Sequence, residues 1–173
     1  MTVQEAINVR KSVRSYTGEP VSEEELKAII MAGQSAPIGM GKYDTIHLSV
    51  ITNKELLAEI DKNAAEFFGD PNMHPLYGAP TLIVVSSSQT DNVGSANVAM
   101  LVHGMALTAV ELGVGHVDIY GATAALAQNT ELVAKLNLPE GFKPLGSLAI
   151  GKTEEVYAAK DIPADRMATD YIA

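Results

Sequence analysis

The chain has 173 residues, 47% of them apolar and 19% charged, which excludes a disordered tail or fibrous repeat and suits one domain with a sizeable core. It contains no cysteine, so disulfides, thiolate metal sites, iron–sulfur clusters and cysteine nucleophiles are all excluded. Twelve basic against 21 acidic residues leave a net charge of −9, which argues against duplex nucleic acid as a partner, since phosphate-backbone binding rests on clustered Lys and Arg.

The opening MTVQEAINVRKSVRSY has no apolar stretch of signal-peptide length, and the expectation is a soluble, cytoplasmic protein. Thr2 and Glu5 form a capping-box pattern that predicts a short helix carrying Val3, Ala6, Ile7 and Val9. Ser22 and Glu25 repeat the pattern after Pro20, with Leu26, Ile29, Ile30 and Gly33 at helical spacing. The Gly-rich segment 35–45 reads as loop. Alternation of Ile46, Leu48 and Val50 predicts a strand over 46–52. Asn53 then caps a helix with Leu56, Leu57, Ile60, Ala64 and Phe67 on one side. Residues 69–80, rich in Gly and Pro, form a loop. TLIVVSS at 81–87 is an unbroken run that suits a strand covered on both faces.

Residues 93–113 predict a long helix closed by Gly113. Its apolar residues cover every face, so it is either deeply buried or membrane-spanning. Asn97, His103 and Glu111 would be costly in hydrocarbon, and a helix buried all round in so small a chain implies a second subunit over one side. A homodimer is therefore expected. A short strand at Val117 and Ile119, a helix over 122–136 and a last strand at 145–150 precede a polar tail. No repeat or linker interrupts the chain, so 1–173 reads as one α+β or mixed α/β domain around a central sheet.

Chemistry is concentrated in one place. Arg10, Lys11 and Arg14 bring three of the 12 basic residues into five positions, with Ser12 between them. Three cations and a hydroxyl suit a phosphate or similar anion. A solvated basic helix end is the other reading. The stretch Ala36-Pro37-Ile38-Gly39-Met40-Gly41 would let backbone approach a flat ligand, or would simply connect helix to strand. The four histidines lack metal-ligand spacing, and His116-Val117-Asp118 reads as a chance match. His103 reads as a core histidine. Phe67 and Phe68 read equally as core or as the edge of a lid. No serine elbow, phosphate-binding P-loop or dinucleotide fingerprint is present.

The order of several short motifs resembles the FMN-dependent nitroreductase family. These are RKSVRSY at 10–16, P-V-S-x-x-E-L-x-x-I-I at 20–30, SAP at 35–37 and YGAPTLIVV at 77–85. They continue with ANVAML at 96–101, A-V-E-L-G-V-G at 109–115, IYG at 119–121 and LGSLAIGK at 145–152, so the resemblance covers nearly the whole chain. It implies an α+β fold with a central mixed β-sheet flanked by helices, and an intertwined homodimer with FMN at the subunit interface. Residues 153–173 would then be an arm reaching the partner.

By the same resemblance, Arg10 and Ser12 hold the FMN phosphate and ribityl chain, with Lys11 in the same strip. Arg14 faces the pyrimidine edge of the flavin, where its guanidinium would stabilise negative charge and raise the reduction potential. Pro37, Ile38, Gly39, Met40 and Gly41 lie along the flavin of the other subunit. Ile119, Tyr120 and Gly121 reach its N5/O4 edge. Lys160 is a phosphate contact near the C-terminus, with Lys152 as its rival. The implied activity is hydride transfer from NADH or NADPH to nitroaromatics, quinones or similar electron-poor molecules in a ping-pong cycle. No protein acid, base or metal is assigned to it. An FMN storage or redox-sensing protein with little turnover is the alternative.

The chain departs from the family at two places. Many members carry A-P-S-x-x-N-x-Q-P-W, where this chain has Ile38, Gly41, Tyr43, Asp44 and Thr45. A glycine thus replaces the asparagine that usually touches FMN. No second basic flavin contact is evident in 69–78, where Asn72 and His74 are the nearest candidates. Weaker FMN retention is expected from both departures.

Overall fold

A computed structural model describes residues 1–172. Helix α1 (Val3–Val9) starts at Thr2 and α2 (Glu23–Gln34) at Ser22, and both complete capping boxes with Glu5 and Glu25. Two short 3-10 turns, Gly39–Gly41 and Tyr43–Thr45, occupy the predicted loop. Strand β1 (Ile46–Ile51) and α3 (Lys54–Phe68), capped by Asn53, follow as expected. Then come β2 (Thr81–Ser87), α4 (Asn92–Glu111), β3 (Gly115–Ile119), α5 (Gly121–Gln128), α6 (Thr130–Ala134) and β4 (Lys143–Gly151).

The four strands lie in the order β1-β2-β4-β3. Every neighbouring pair is antiparallel, so the sheet is antiparallel throughout rather than mixed, while the α+β class holds. All seven residues of β2 are buried, because helices cover both faces of the sheet. Alternation divides the core: Leu82 and Val84 join α3 and α5, while Ile83 and Val85 join α2 and α4. The pairing of β2 with β4 shifts between Val85 and Ser86, where β4 accommodates Pro144.

The helix expected over 122–136 is broken in two. Asn129 takes an extended conformation (φ −98°, ψ 98°), and its Oδ1 accepts from the Leu132 N–H at 3.1 Å while its amide donates to Asn63. Asparagine competes for backbone donors in this way, which favours a cap over a helix interior.

Helix α4 is long and apolar enough to cross a membrane, the one such helix among the described residues, yet half of it is buried against the sheet and α2. Its other side remains open: Val93 and Met100 are exposed, as are His103 and Leu112. His103 is thus a surface residue, and the buried histidine is His116. The helix is apolar all round, yet the chain itself covers only one of its sides.

Two glycines of α4 make opposite demands. A Cβ on Gly94 would lie 1.8 Å from the Gln89 carbonyl oxygen, whereas one on Gly104 would meet nothing closer than 3.6 Å. Gly94→Ala is expected to destabilise the fold by about 3 kcal/mol or more. Gly104→Ala should stabilise it by about 0.5–1 kcal/mol, as an interior helical glycine replaced without strain. Denaturant unfolding of the two variants checks both signs.

Candidate functional site

Helix α1 ends at Arg10, whose backbone (φ −52°, ψ 128°) leaves the helical region and sends the chain alongside β3. The Val13 N–H donates to the His116 carbonyl at 2.8 Å, and the Val13 side chain is fully buried. That anchor leaves Arg14 exposed and Arg10 and Ser12 half-buried. Further along, Thr17 N–H donates to the Lys152 carbonyl and Lys152 N–H to that of Glu19.

The tail after β4 turns back along this strip in the opposite direction. Thr153 Oγ1 donates to the Ser15 carbonyl at 2.7 Å, and Glu155 accepts from the Arg14 N–H at 2.9 Å. The second oxygen of Glu155 pairs with Lys11 Nζ at 2.8 Å. Tyr157 donates to the Val114 carbonyl at 2.8 Å, and Lys160 Nζ donates to the Arg10 carbonyl at 2.5 Å. Lys160 therefore reaches the strip. Lys152 does not, because both oxygens of Glu25 hold it at 2.6 and 2.8 Å.

Positive charge gathers at the Arg10 end. Partial burial and the nearby Arg10 and Arg166 push the Lys160 ammonium below its usual range. Among the described residues no ion pair engages Arg10, Lys160 or Arg166. Asp118 lies within electrostatic reach of Arg10 without pairing, and burial pushes its carboxyl up. A cluster of like charges that no carboxylate pairs with among the described residues, in a chain of net charge −9, suits a bound anion.

At the other end of the strip the Arg14 guanidinium sits 5.7 Å from the centre of the Tyr77 ring, a cation–π distance. Tyr77 holds a left-handed φ of 55°. A groove of about 950 Å³ opens here, lined by Arg14, Leu57, Asp61, His74, Tyr77 and Pro80. Asp61 organises its wall by accepting from the Leu76 N–H at 2.7 Å and pairing with His74 at 2.9 Å.

The turn after β3 forms a third corner. Ile119 is buried and its carbonyl accepts from Thr123 and Ser147 hydroxyls, while Tyr120 is 77% exposed. A Cβ on Gly121 would lie 2.6 Å from Phe68 Cζ, so a larger residue there would push that half-exposed ring aside. Phe67 and Phe68 are half-exposed surface residues at this corner.

Residues 37–41 are elsewhere. They precede β1 at one edge of the sheet, and the Asn97 side chain holds the Gly39 N–H at 3.1 Å. The basic strip runs beside β3, at the other edge and the other end of the strands. Three strand spacings and about five residues of rise separate the two groups by roughly 20 Å. One chain therefore brings Arg10, Ser12, Arg14 and Lys160 into one strip, but not Pro37, Ile38, Gly39, Met40 or Gly41. Sequence reading missed Glu155, Tyr157, His116 and Arg166. The histidine of the 116–118 pair was the only signal for any of them.

A model of the nitroreductase family matches residues 7–152. The chain belongs to the nitroreductase family. The FMN reductase (NAD(P)H) of Bacillus subtilis is 31% identical to it, across 96% of this chain and 68% of that protein. Two crystal structures of nitroreductases with bound FMN, from Bacteroides fragilis and from Desulfitobacterium hafniense, each superpose with a TM-score of 0.85. Each is 26% identical, over 99% of this chain and 100% of the other.

Within this family member, Glu155 is the clasp between tail and strip. Lys11 and the Arg14 N–H hold its carboxyl below the ordinary value of 4.5. A lowered folded pKa stabilises the clasp fully above pH about 4.5 and loses that contribution as pH falls through the folded value. Glu155→Ala is expected to speed limited proteolysis of the tail at pH 7 with little change in global unfolding. Wild-type protein should show the same lability only in acid.

Proposed function

We propose that this chain is an FMN-dependent oxidoreductase that takes hydride from NADH or NADPH and reduces electron-poor organic molecules such as nitroaromatics or quinones. The observation that carries the reading is the gathering of Arg10, Lys160 and Arg166, none of them ion-paired among the described residues, at a strip that also offers Ser12. That donor set fits a phosphate monoester, and the exposed Tyr120 marks an open turn beside it at the end of β3. Bound FMN supplies a ring able to accept a hydride and pass it on.

In this reading Arg10, Ser12 and Lys160 hold the phosphate and ribityl chain. Lys11 serves the strip indirectly, since Glu155 engages its ammonium. Arg14, braced on Tyr77, opposes negative charge at the pyrimidine edge. Ile119, Tyr120 and Gly121 present backbone to the opposite edge. Donor and acceptor occupy one place in turn, which gives ping-pong kinetics.

A homodimer completes the site. Pro37, Ile38, Gly39, Met40 and Gly41 stand roughly 20 Å from the basic strip of their own chain. A second copy would bring them to it. The open stripe of α4 and the exposed Val3, Ile7, Met31 and Met40 offer an apolar surface for that copy. Residues 1–173 then act as one FMN-binding domain, with 153–173 as the arm. Its first part, 153–160, lies on its own strip, while Ile162, Met167, Tyr171 and Ile172 are uncovered and available to a partner. Ala173 lies outside the described residues. The cytoplasm, which supplies reduced nicotinamide nucleotides, is the proposed location.

Protein purified without added flavin and then mixed with FMN should show a flavin absorption spectrum that NADH or NADPH bleaches anaerobically. Bound FMN that NAD(P)H fails to reduce would sink the enzyme reading in favour of storage or sensing. Arg10→Ala should weaken FMN binding about ten- to a hundred-fold, the equivalent of one charge-assisted hydrogen bond of roughly 1.5–3 kcal/mol. Arg14→Ala should lower the reduction potential of the bound flavin. In sedimentation, wild-type protein should run at the mass of two chains. Met100→Glu should shift it towards one chain and release FMN in parallel.

A further inference from the structure

His116 lies on β3 with no solvent exposure, and its ring has a single hydrogen-bonding partner. Nδ1 is 2.7 Å from the Tyr157 hydroxyl, and that hydroxyl is 2.8 Å from the Val114 carbonyl. A hydroxyl has one proton and a carbonyl only accepts. With the Tyr157 proton given to Val114, the contact with His116 requires Nδ1 to carry a hydrogen and donate it. Burial, together with the charges of Arg10 and His103, pushes the ring pKa down to about 4, so at neutral pH that hydrogen is the only one. Nε2 is therefore a bare acceptor, buried and without a donor. A buried acceptor left unpaired is costly, so a donor that can reach it would be held there.

Arg10 is the suitable donor. It lies within electrostatic reach of the ring, always carries its proton, and forms no side-chain hydrogen bond or ion pair among the described residues. Its carbonyl already receives Lys160, three residues beyond Tyr157 in the tail. One residue thus touches the tail through its Nδ1 and holds the Val13 N–H, in the middle of the strip, through its carbonyl.

We propose that His116 is a positioning residue for the phosphate end of the site. Its Nδ1–H holds Tyr157, and with it the tail that delivers Lys160, while its bare Nε2 takes one N–H of the Arg10 guanidinium when phosphate binds. A guanidinium held from behind by one N–H keeps a fork of donors directed at the anion. This inference rests on the reading of Arg10 and Lys160 as phosphate ligands.

Histidine-labelled protein examined by ¹⁵N NMR should show His116 neutral and protonated at Nδ1, and inorganic phosphate should shift the Nε2 signal. A ring protonated at Nε2, or an Nε2 signal unmoved by saturating phosphate, overturns the proposal. His116→Phe should weaken FMN binding about tenfold or more and leave riboflavin, which lacks the phosphate, unchanged. Equal losses for both flavins would mark a merely structural role and overturn it. Tyr157→Phe removes a single oxygen and should repeat the selective loss, which keeps the test open if His116→Phe fails to fold. Wild-type protein that binds neither flavin would sink the flavin reading, while the response of His116 to inorganic phosphate would still decide this one.

Discussion

Strand β2 is buried along its whole length, on both faces and both edges, and the rest of the fold answers to that constraint. A strand so placed needs a layer of helices above and another below. Helices α3 and α5 form one layer, α2 and α4 the other, each with its own apolar cluster. A chain of 173 residues has little helix to spare, so α4 covers the sheet with one side and leaves the other open. The expectation of a second copy of the chain follows from this shortage of covering surface. The same shortage explains why the site reading calls on two chains rather than one.

Much of the fold was legible because its signals are local. Thr2, Ser22 and Asn53 each cap a helix with a hydrogen bond to a residue three positions on, and such bonds are written within four residues. The continuous run at 81–87 announced a strand covered on both faces for the same reason. The break at Asn129 was hidden although its cap on Leu132 is equally local, because apolar residues at helical spacing continue on both sides of it. The hydrogen bond from its amide to Asn63 of a different helix then fixes it. Strand direction was hidden as well. Nothing local to β4 says that it lies between β2 and β3, or that both pairings are antiparallel.

The site divides along the same line. The basic strip stood out in the sequence because charge density is local, and the resemblance to a family gave its residues roles. The partners of the strip were invisible because they arrive from the far end of the chain. Glu155, Tyr157 and Lys160 reach residues 141 or more positions away, or the start of β3. The exposure of His103, expected in the core, and the burial of His116, which carried no expectation of its own, have a similar origin. A helix apolar on every face does not reveal which side the sheet takes, and a histidine on a short edge strand carries no periodic pattern to betray its burial.

The position of β4 has a consequence for how the protein is made. It leaves the ribosome after β1, β2 and β3, yet it occupies the interior of the sheet, and the tail that follows it closes the basic strip. Until residue 151 has emerged, β2 has only β1 beside it and β3 has no strand to join. The pairing of residue 160 with residue 10 comes later still. Contacts of such sequence separation form late and slowly, because the loop they close must be ordered first. A nascent chain therefore carries the first half of its basic strip before the residues that complete it have emerged.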